Sequence, residues 1–280
     1  MIRIVTDTTA VLPQEIVTRY GIVVIPQIIR FGNQSYQEGI EMDEPEFLRR
    51  LVESPILPAT AAPAPGAFDE VYRLAAEVGD TILSLHPSSE VSGTVSSAYS
   101  ARSSYPEAHI RVIDTRTVAG CLAAIVQCAA EWAAANLSVD EIVQRLEAMI
   151  PRARTYFLVA TLEYLQKNGR IGGAAKLLGS ALQIKPILTL TNGHVETLEK
   201  VRTQHKALQR IKELARAECP RTPESYLCVM HADAPTQADQ LRADLCADLG
   251  VCDIPLYSVG PAITTHAGPG TLAIGFFAEA

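Results

Sequence analysis

Residues 81–102 read TILSLHPSSEVSGTVSSAYSAR and contain the strand, loop and helix pattern that decides the fold. Residues 81–86 form a short apolar run typical of a buried strand, and the serine-rich segment after them turns into a helical pattern. The same order recurs at IRIVTD near the start of the chain and at IRVIDT, residues 110–115. Repetition of this unit favours a parallel sheet with helices on its faces.

Proline, glycine and acidic residues mark where helices begin and end. Pro13 precedes a helical segment that Gly21 closes, which follows the preference for proline at helix starts and glycine at helix ends. Asp43 is followed by acidic residues and then by arginines, and this order predicts a helix that Asp43 caps. The proline-rich residues 54–64 predict no regular element until Pro65 opens the next helix.

We expect two domains that meet near residue 150. Ser138 and Glu141 have the spacing of a capping box at the start of a helix, and Pro151 lies just past the end of that helix. In the second half, strand-like and helix-like segments are mixed, and the sequence TNG at residues 191–193 predicts a hairpin. The prediction is an α/β protein of two domains, an α/β/α domain with a parallel sheet at residues 1–150 and an α/β domain with a mixed sheet at residues 151–280.

The composition argues against several partners. The formal net charge of −7 over 280 residues disfavours binding to nucleic acid or to anionic lipid, because both require clustered Lys and Arg. The most apolar helical stretch, residues 119–135, is shorter than the roughly 20 residues of a membrane span, so we predict a buried core helix there. Asp7 interrupts the first apolar residues before a leader peptide could form, and we therefore expect a cytoplasmic protein.

Motifs for common cofactors and metals are missing from the sequence. Neither the G-x-x-x-x-G-K-[ST] phosphate loop nor a G-x-G-x-x-G segment after a strand is present, which argues against ATP or dinucleotide binding. The six cysteines include no C-x-x-C pair, so a zinc site has little support. We expect reduced, mostly buried thiols and no cofactor.

The serine-rich loop after residues 81–86 is a candidate binding site. Ligands of open parallel sheets sit beyond the carboxyl ends of the strands, where loops lead into helices. Gly93 would allow a close backbone approach, and the hydroxyls of Ser92 and Thr94 flank it near a helix N-terminus that favours an anion. These features suit a small anionic head group. The alternative is that the loop hydroxyls, including a capping Thr94, only satisfy local backbone groups.

Two further residues are candidates of lower specificity. The segment HAGPGT, residues 266–271, lies between strand-like segments and predicts a rigid turn that presents His266. Arg170 follows a glycine in KNGRIGG. Taken singly, each residue is better explained by a structural role, for His266, or by a solvated one, for Arg170.

Six blocks of the chain, in order from end to end, resemble the DegV family of fatty-acid-binding proteins. The resemblance implies that the protein binds a long-chain fatty acid between or within two α/β domains, and presents the carboxylate to a separate kinase that forms an acyl phosphate. Residues 1–150 would then supply the hydroxyl-rich carboxylate-binding loops, and residues 151–280 would complete the acyl-chain pocket. The blocks are IRIVTDTTAVLP, PATAAPAPGAF, SSEVSGTVSSA, VIDTRTVAGC, LEYLQKNGRIGG with LQIKPIL, and VGPAITTHAGPGTLAIGFF.

The resemblance also assigns ligand-binding residues. Thr60, Ser92 and His266 match the family's head-group residues, and Gly93 makes room beside Ser92. Arg170 matches an arginine near the mouth of the pocket and near the docking site of the partner. One departure is that residues 60–63 read TAAP where the family has T-S-Q-P, so a hydroxyl and an amide are missing.

Fatty-acid binding predicts that hydroxyls hold the carboxylate without a salt bridge, which leaves an oxygen free to attack the γ-phosphoryl group of ATP on a partner. One rival is a serine acyl hydrolase with Ser92 as nucleophile, His266 as base and Asp7 or Asp114 as the residue that orients the base. The G-x-S-x-G elbow of such enzymes is missing from the sequence. A second rival is a carrier of a small anionic metabolite such as a sugar phosphate.

Overall fold

The computed structural model of the protein describes residues 1–178 and 184–279. The chain divides into two compact units, Met1–Pro151 and Arg152–Ala280. Strands and helices of the first unit are β1 (Ile2–Asp7), α1 (Gln14–Tyr20), β2 (Val23–Ile25), β3 (Ile28–Phe31), β4 (Gln34–Gln37), α2 (Glu44–Glu53), β5 (Ala59–Ala61), α3 (Pro65–Val78), β6 (Thr81–His86), α4 (Thr94–Arg102), β7 (Ile110–Asp114), α5 (Ala119–Ala134) and α6 (Val139–Met149).

A four-stranded parallel sheet forms the centre of the first unit, in the order β2-β1-β6-β7. Val5 of β1 and Ile82 of β6 are fully buried, and they pack with Phe68 and Tyr72 of α3 and Ala98 of α4. The parallel sheet predicted from the recurring strand and helix units is therefore confirmed.

A second, three-stranded sheet in the order β4-β3-β5 was not predicted from the sequence. Its strands are antiparallel, and β5 joins it through the pairing of Thr60 with Ile29. The prediction that no regular element precedes Pro65 is therefore wrong. Residues 59–61 can form a strand because the prolines, Pro58 and Pro63, lie outside it. No proline therefore occupies a position whose backbone N–H is needed for pairing with β3.

Local signals fixed the ends of several helices. Gly21 ends α1 in the left-handed conformation, with φ of 61°. The Asp43 carboxylate accepts the backbone N–H of Glu46 at 2.9 Å and caps α2. Ser138 and Glu141 form the complete capping box at the start of α6. These predictions are confirmed.

Helix α5 covers most of the apolar stretch at residues 119–135 and is buried along most of its length. It packs against β1 and β6, so the prediction of a core helix is confirmed. Across residues 1–178 and 184–279, the structure contains no helix with the length and apolar character needed to cross a membrane.

The second unit is built on a six-stranded sheet, in the order β10-β9-β8-β13-β11-β12. Only β11 and β12 pair in parallel, so the sheet is mixed, as predicted. Helices α8 and α9 bury apolar side chains such as Ile211 and Leu245 against it. The strands and helices are β8 (Ala153–Leu158), α7 (Glu163–Lys167), β9 (Lys185–Thr191), β10 (His194–Val201), α8 (Gln204–Glu218), β11 (Cys228–Ala232), α9 (Pro235–Leu249), β12 (Leu256–Ser258), α10 (Gly260–Ala267) and β13 (Thr271–Phe277).

Two turns of the second unit differ in how well the sequence predicted them. Asn192 and Gly193 join β9 to β10 with positive φ at both residues, which confirms the hairpin. Gly250 ends α9 in the left-handed conformation. Cys252, two residues later, forms a disulfide with Cys246 of α9. The expectation of reduced thiols is wrong for this pair, whereas the remaining four are free and buried: Cys121, Cys128, Cys219 and Cys228.

Candidate functional site

Buried polar residues cluster at the carboxyl edge of the parallel sheet in the first unit. Asp7 ends β1 and His86 ends β6, and these two strands are neighbours. The direction in which successive strands are added reverses between β1 and β6, and open α/β sheets bind ligands at such a switch point. The loop that follows β6, residues 87–93, is the hydroxyl loop, and it therefore lies where a ligand is expected.

Ser92 lies near the end of the hydroxyl loop and is partly buried. Its Oγ lies 2.8 Å from Oγ1 of Thr94 and accepts the backbone N–H of Thr94 at 3.3 Å. Gly93 is the N-cap of α4, and no side chain caps the helix. The expectation that Thr94 caps α4 is wrong, because Thr94 is the first helical residue and its hydroxyl points to other side chains.

Other serines of the loop hold its shape. Ser88 is fully buried, and its Oγ accepts the backbone N–H of Glu90 at 3.2 Å. Ser89 donates to Oδ2 of Asp114 at 2.6 Å. Asp114 also accepts the backbone N–H of Arg116 at 2.9 Å. The local structural role that the sequence left open for these hydroxyls therefore applies to Ser88 and Ser89.

Thr60 is the middle residue of β5 and is partly buried. Ala62, the residue that follows β5, lies beside Gly93, since a Cβ placed on Gly93 would lie 3.5 Å from Cβ of Ala62. Gly93 has φ of −77°, which any residue can adopt, so the backbone does not require glycine there. The first unit thus brings the segment that contains Thr60 close to the loop that contains Ser92. At their contact, Ala62 stands where the family pattern T-S-Q-P has the larger side chain of glutamine.

A buried chain of hydrogen bonds runs beneath the hydroxyl loop. Nδ1 of His86 lies 2.8 Å from Oδ2 of Asp7, and Nε2 of His86 lies 2.7 Å from Oγ of Ser84. The Tyr72 hydroxyl donates to the same Oγ of Ser84 at 2.7 Å. All four side chains are completely buried. Burial raises the pKa of Tyr72 to about 12, so its hydroxyl remains a donor at neutral pH.

Gln27 connects this chain to the hydroxyl loop. It lies between β2 and β3 and is buried. Its Nε2 donates to Oδ1 of Asp7 at 3.0 Å and to Oγ1 of Thr94 at 2.9 Å. Since Thr94 contacts Ser92, the four side chains form a continuous path from a buried carboxylate to the candidate ligand-binding hydroxyl.

The second unit holds the other two candidates, which lie near each other. His266 is in the last turn of α10, so a helix presents this side chain and the expectation that a turn presents it is wrong. The predicted turn is present but lies after His266, at residues 269–270, before β13. Arg170 follows α7, and its Nη1 donates to the backbone oxygen of Asn168 at 2.7 Å. Nδ2 of Asn168 donates to the backbone oxygen of Thr265 at 2.9 Å, which ties the Arg170 segment to α10.

The surroundings of His266 keep it neutral. Burial lowers the pKa of His266 to about 4, and the positive charge of Arg170 contributes in the same direction. A neutral imidazole can donate from one ring nitrogen and accept at the other. His266 is therefore suited to a hydrogen bond with a polar head group rather than to a permanent ion pair.

Both acids proposed for the hydrolase alternative have other partners. Asp7 is completely buried, and its oxygens accept from His86, Thr9 and Gln27. Asp114 is bonded to the hydroxyl loop and to Arg116. The histidine that Asp7 orients is thus His86, which contacts Ser84 rather than Ser92.

Sequence reasoning missed the roles of Gln27 and His86. Both residues lie at the carboxyl end of an apolar strand: Gln27 comes two residues after β2, and His86 is the last residue of β6. Polar residues at the carboxyl ends of neighbouring parallel strands are expected to meet at one edge of the sheet. That signal was present, but the sequence did not show which strands are neighbours.

The fold and these residues define an α/β protein that offers hydroxyl donors at the switch point of a parallel sheet. A family model described as "Uncharacterised protein, DegV family" matches residues 1–279. A DegV domain-containing protein of Streptomyces coelicolor is 40% identical over 98% of this chain and 97% of its own length. The chain belongs to the DegV family.

Solved structures of DegV proteins have the same fold. A protein from Thermus thermophilus described by "Fatty Acid Binding of a DegV family Protein" is 31% identical, with a TM-score of 0.90 and 99% coverage of both chains. DegV of Bacillus subtilis, described as a fatty acid binding protein, is 32% identical, with a TM-score of 0.88 and 99% coverage of both chains. The similarity extends over both units, and the two-domain α/β architecture predicted from the sequence is confirmed.

Proposed function

We propose that the protein binds a long-chain fatty acid and holds its carboxylate with the hydroxyls of Ser92 and Thr60. The observation that carries this proposal is the position of Ser92, a partly buried hydroxyl at the switch point of the parallel sheet, beside an uncapped helix N-terminus. Two relatives more than 30% identical are described as fatty-acid-binding proteins, which supports the same ligand here.

Burial of the acyl chain can supply the affinity. About 15 methylenes at about 0.8 kcal/mol each give roughly 12 kcal/mol before the costs of association and ordering are subtracted. The head group then needs orientation more than strong attraction. Hydroxyl donors provide charge-assisted hydrogen bonds to a carboxylate without the pairing that a lysine or arginine would impose.

We further propose that the bound carboxylate is presented to a separate ATP-dependent kinase. A carboxylate oxygen would attack the γ-phosphorus of ATP held by that partner, forming an acyl–phosphate bond as the bond to ADP breaks. Arg170 and His266 are proposed as further ligand-binding residues because they match the family's positions, and the Arg170 charge would offset charge on the acyl phosphate. The cytoplasmic location and the kinase partner both remain predictions.

Mass spectrometry of the purified protein tests the ligand. Native spectra should show an added mass that denaturing spectra lack, and the released molecule should be a fatty acid at near one per chain. Ser92→Ala should lower the fatty-acid affinity and slow acyl-phosphate formation with ATP and the partner kinase. Ser96→Ala, at an exposed position of α4, is the matched control and should change neither. Wild-type rates in Ser92→Ala would refute the role of Ser92.

The same preparations separate the two rivals. Ester hydrolysis that is lost in Ser92→Ala would support the acyl hydrolase and contradict the binding proposal. A phosphorylated small molecule in the native spectrum, with no lipid, would support the metabolite carrier. The observation against the hydrolase is that both candidate acids are already bonded elsewhere in the first unit.

A further inference from the structure

The Gln27 amide joins a buried acid to the candidate binding hydroxyl. Its two N–H groups are both used, one on Asp7 Oδ1 and one on Thr94 Oγ1. The amide orientation is fixed, because a carboxylate only accepts hydrogen bonds and the NH₂ group must face it. The backbone of Gln27 is also held, since its N–H donates to Thr8 Oγ1 at 3.1 Å and its carbonyl accepts from the N–H of Glu38 at 2.9 Å.

A fixed amide sets the direction of the next hydrogen bond. Thr94 Oγ1 accepts from Gln27, which favours donation of its own hydrogen toward Ser92 Oγ, 2.8 Å away. The backbone N–H of Thr94 also donates to Ser92 Oγ. The two lone pairs of Ser92 Oγ are then occupied, and the hydrogen of Ser92 is directed away from Thr94.

We propose that Gln27 and Thr94 act as positioning residues that make Ser92 a hydrogen-bond donor to its ligand. The ligand would be selected for a head group that accepts strongly, namely a carboxylate. A head group that mainly donates, or an uncharged alcohol, would gain less from this hydroxyl. This inference rests on the proposed function and deepens it, because it concerns how the same site discriminates among lipids that share one acyl chain.

The buried side of the path is arranged to keep Asp7 an acceptor. His86 Nδ1 faces Asp7 Oδ2, and because a carboxylate only accepts hydrogen bonds, the proton on Nδ1 points to the carboxylate, while Nε2 lies 2.7 Å from Oγ of Ser84. Tyr72 donates to Ser84 in turn. The Nδ1 proton of His86 is therefore directed to Oδ2 of Asp7, which leaves Oδ1 of the carboxylate able to hold the Gln27 amide in one orientation.

The test compares two probes with the same C16 chain, hexadecanoic acid and hexadecanol, by equilibrium binding to delipidated protein. Thr94→Val keeps the shape of the side chain and removes its hydroxyl, whereas Thr94→Ser keeps the hydroxyl. Loss of one charge-assisted hydrogen bond corresponds to about tenfold in the dissociation constant. We expect Thr94→Val to weaken the acid about tenfold and the alcohol by less than about twofold.

Thr94→Ser should restore most of the preference for the acid. Gln27→Met, which removes the amide, should give the same selective loss as Thr94→Val. Equal weakening of both probes, or an unchanged preference in Thr94→Val, would overturn the positioning role while leaving fatty-acid binding intact. If the wild-type protein binds neither probe, the proposed function fails and the inference fails with it.

Discussion

Nδ1 of His86 lies 2.8 Å from Oδ2 of Asp7 at the carboxyl ends of two neighbouring parallel strands, and both side chains are completely buried. The Asp7 carboxylate also accepts from Thr9 and Gln27. A buried carboxylate is tolerated only when its oxygens are paired in this way. The buried polar residues beneath the candidate site therefore contribute to the stability of the fold as well as to the position of Ser92.

Asp7→Ala should destabilise the protein strongly. The substitution leaves the donors on His86, Thr9 and Gln27 buried without their acceptor. We expect the free energy of unfolding to fall by about 3 kcal/mol or more, because removing one member of a buried charged network leaves its partners unsatisfied. Urea unfolding followed by circular dichroism measures this change.

Asp43→Ala is the matched control for that measurement. Asp43 is exposed and caps α2 through one hydrogen bond, so its loss should cost about 1 kcal/mol. If the two alanine variants unfolded at the same urea concentration, the buried network would not have the stabilising role that we assign to it.

Gly268→Ala should destabilise the second unit where α10 meets α7. Gly268 has φ of 81° and ψ of 158°, a region open essentially only to glycine, and an added Cβ would lie 2.5 Å from Cδ2 of Tyr164. We expect a loss of about 3 kcal/mol, measured by urea unfolding. The matched control is Gly250→Ala, which has φ of 71° but no atom within 4 Å of the new Cβ and should lose only about 1 kcal/mol. Equal losses would mean that the contact with Tyr164 is unimportant.

Apart from the two sheet types, which the order of strands and helices indicated, the parts of the fold that the sequence predicted are those set by neighbouring residues. Gly21, the Ser138 capping box and the Asn192–Gly193 turn each act within a few positions along the chain. The missed strand β5 is different, since its three residues pair with residues 28–30 of β3, about thirty positions earlier in the sequence. A short segment between prolines carries no local sign of such a partner.

The candidate site shows the same limit. The loop after β6 predicted Ser92 and Thr94 as candidate hydroxyls of an anion site, whereas Thr60 came only from the family resemblance. Gln27 and Thr94 are 67 positions apart, and Asp7 and His86 are 79 apart. No periodicity links residues at such separations, so the hydrogen bonds that join them became visible only when the order of the strands was known.

Thr60→Val should weaken fatty-acid binding without disturbing the fold. Valine has the shape of threonine and suits a strand, so β5 should keep its pairing with β3. Loss of one hydroxyl that binds the carboxylate should raise the dissociation constant for hexadecanoic acid about tenfold. Thr81→Val is the control, because Thr81 begins β6 at the opposite end of the parallel sheet. An unchanged affinity in Thr60→Val would remove Thr60 from the head-group residues.

The stability of the protein should depend on pH through His266. Its pKa is lowered from 6.5 to about 4 in the folded protein, so the unfolded chain binds the proton more readily between these values. The stabilisation from neutral His266 is complete above pH 6.5 and is lost as the pH falls toward 4. At pH 5 this loss is about 2 kcal/mol relative to pH 7.5, from about 1.4 kcal/mol per pH unit. His266→Gln removes the titrating group, so urea unfolding at both pH values should show a smaller decrease in the variant. Equal decreases would mean that His266 keeps an ordinary pKa.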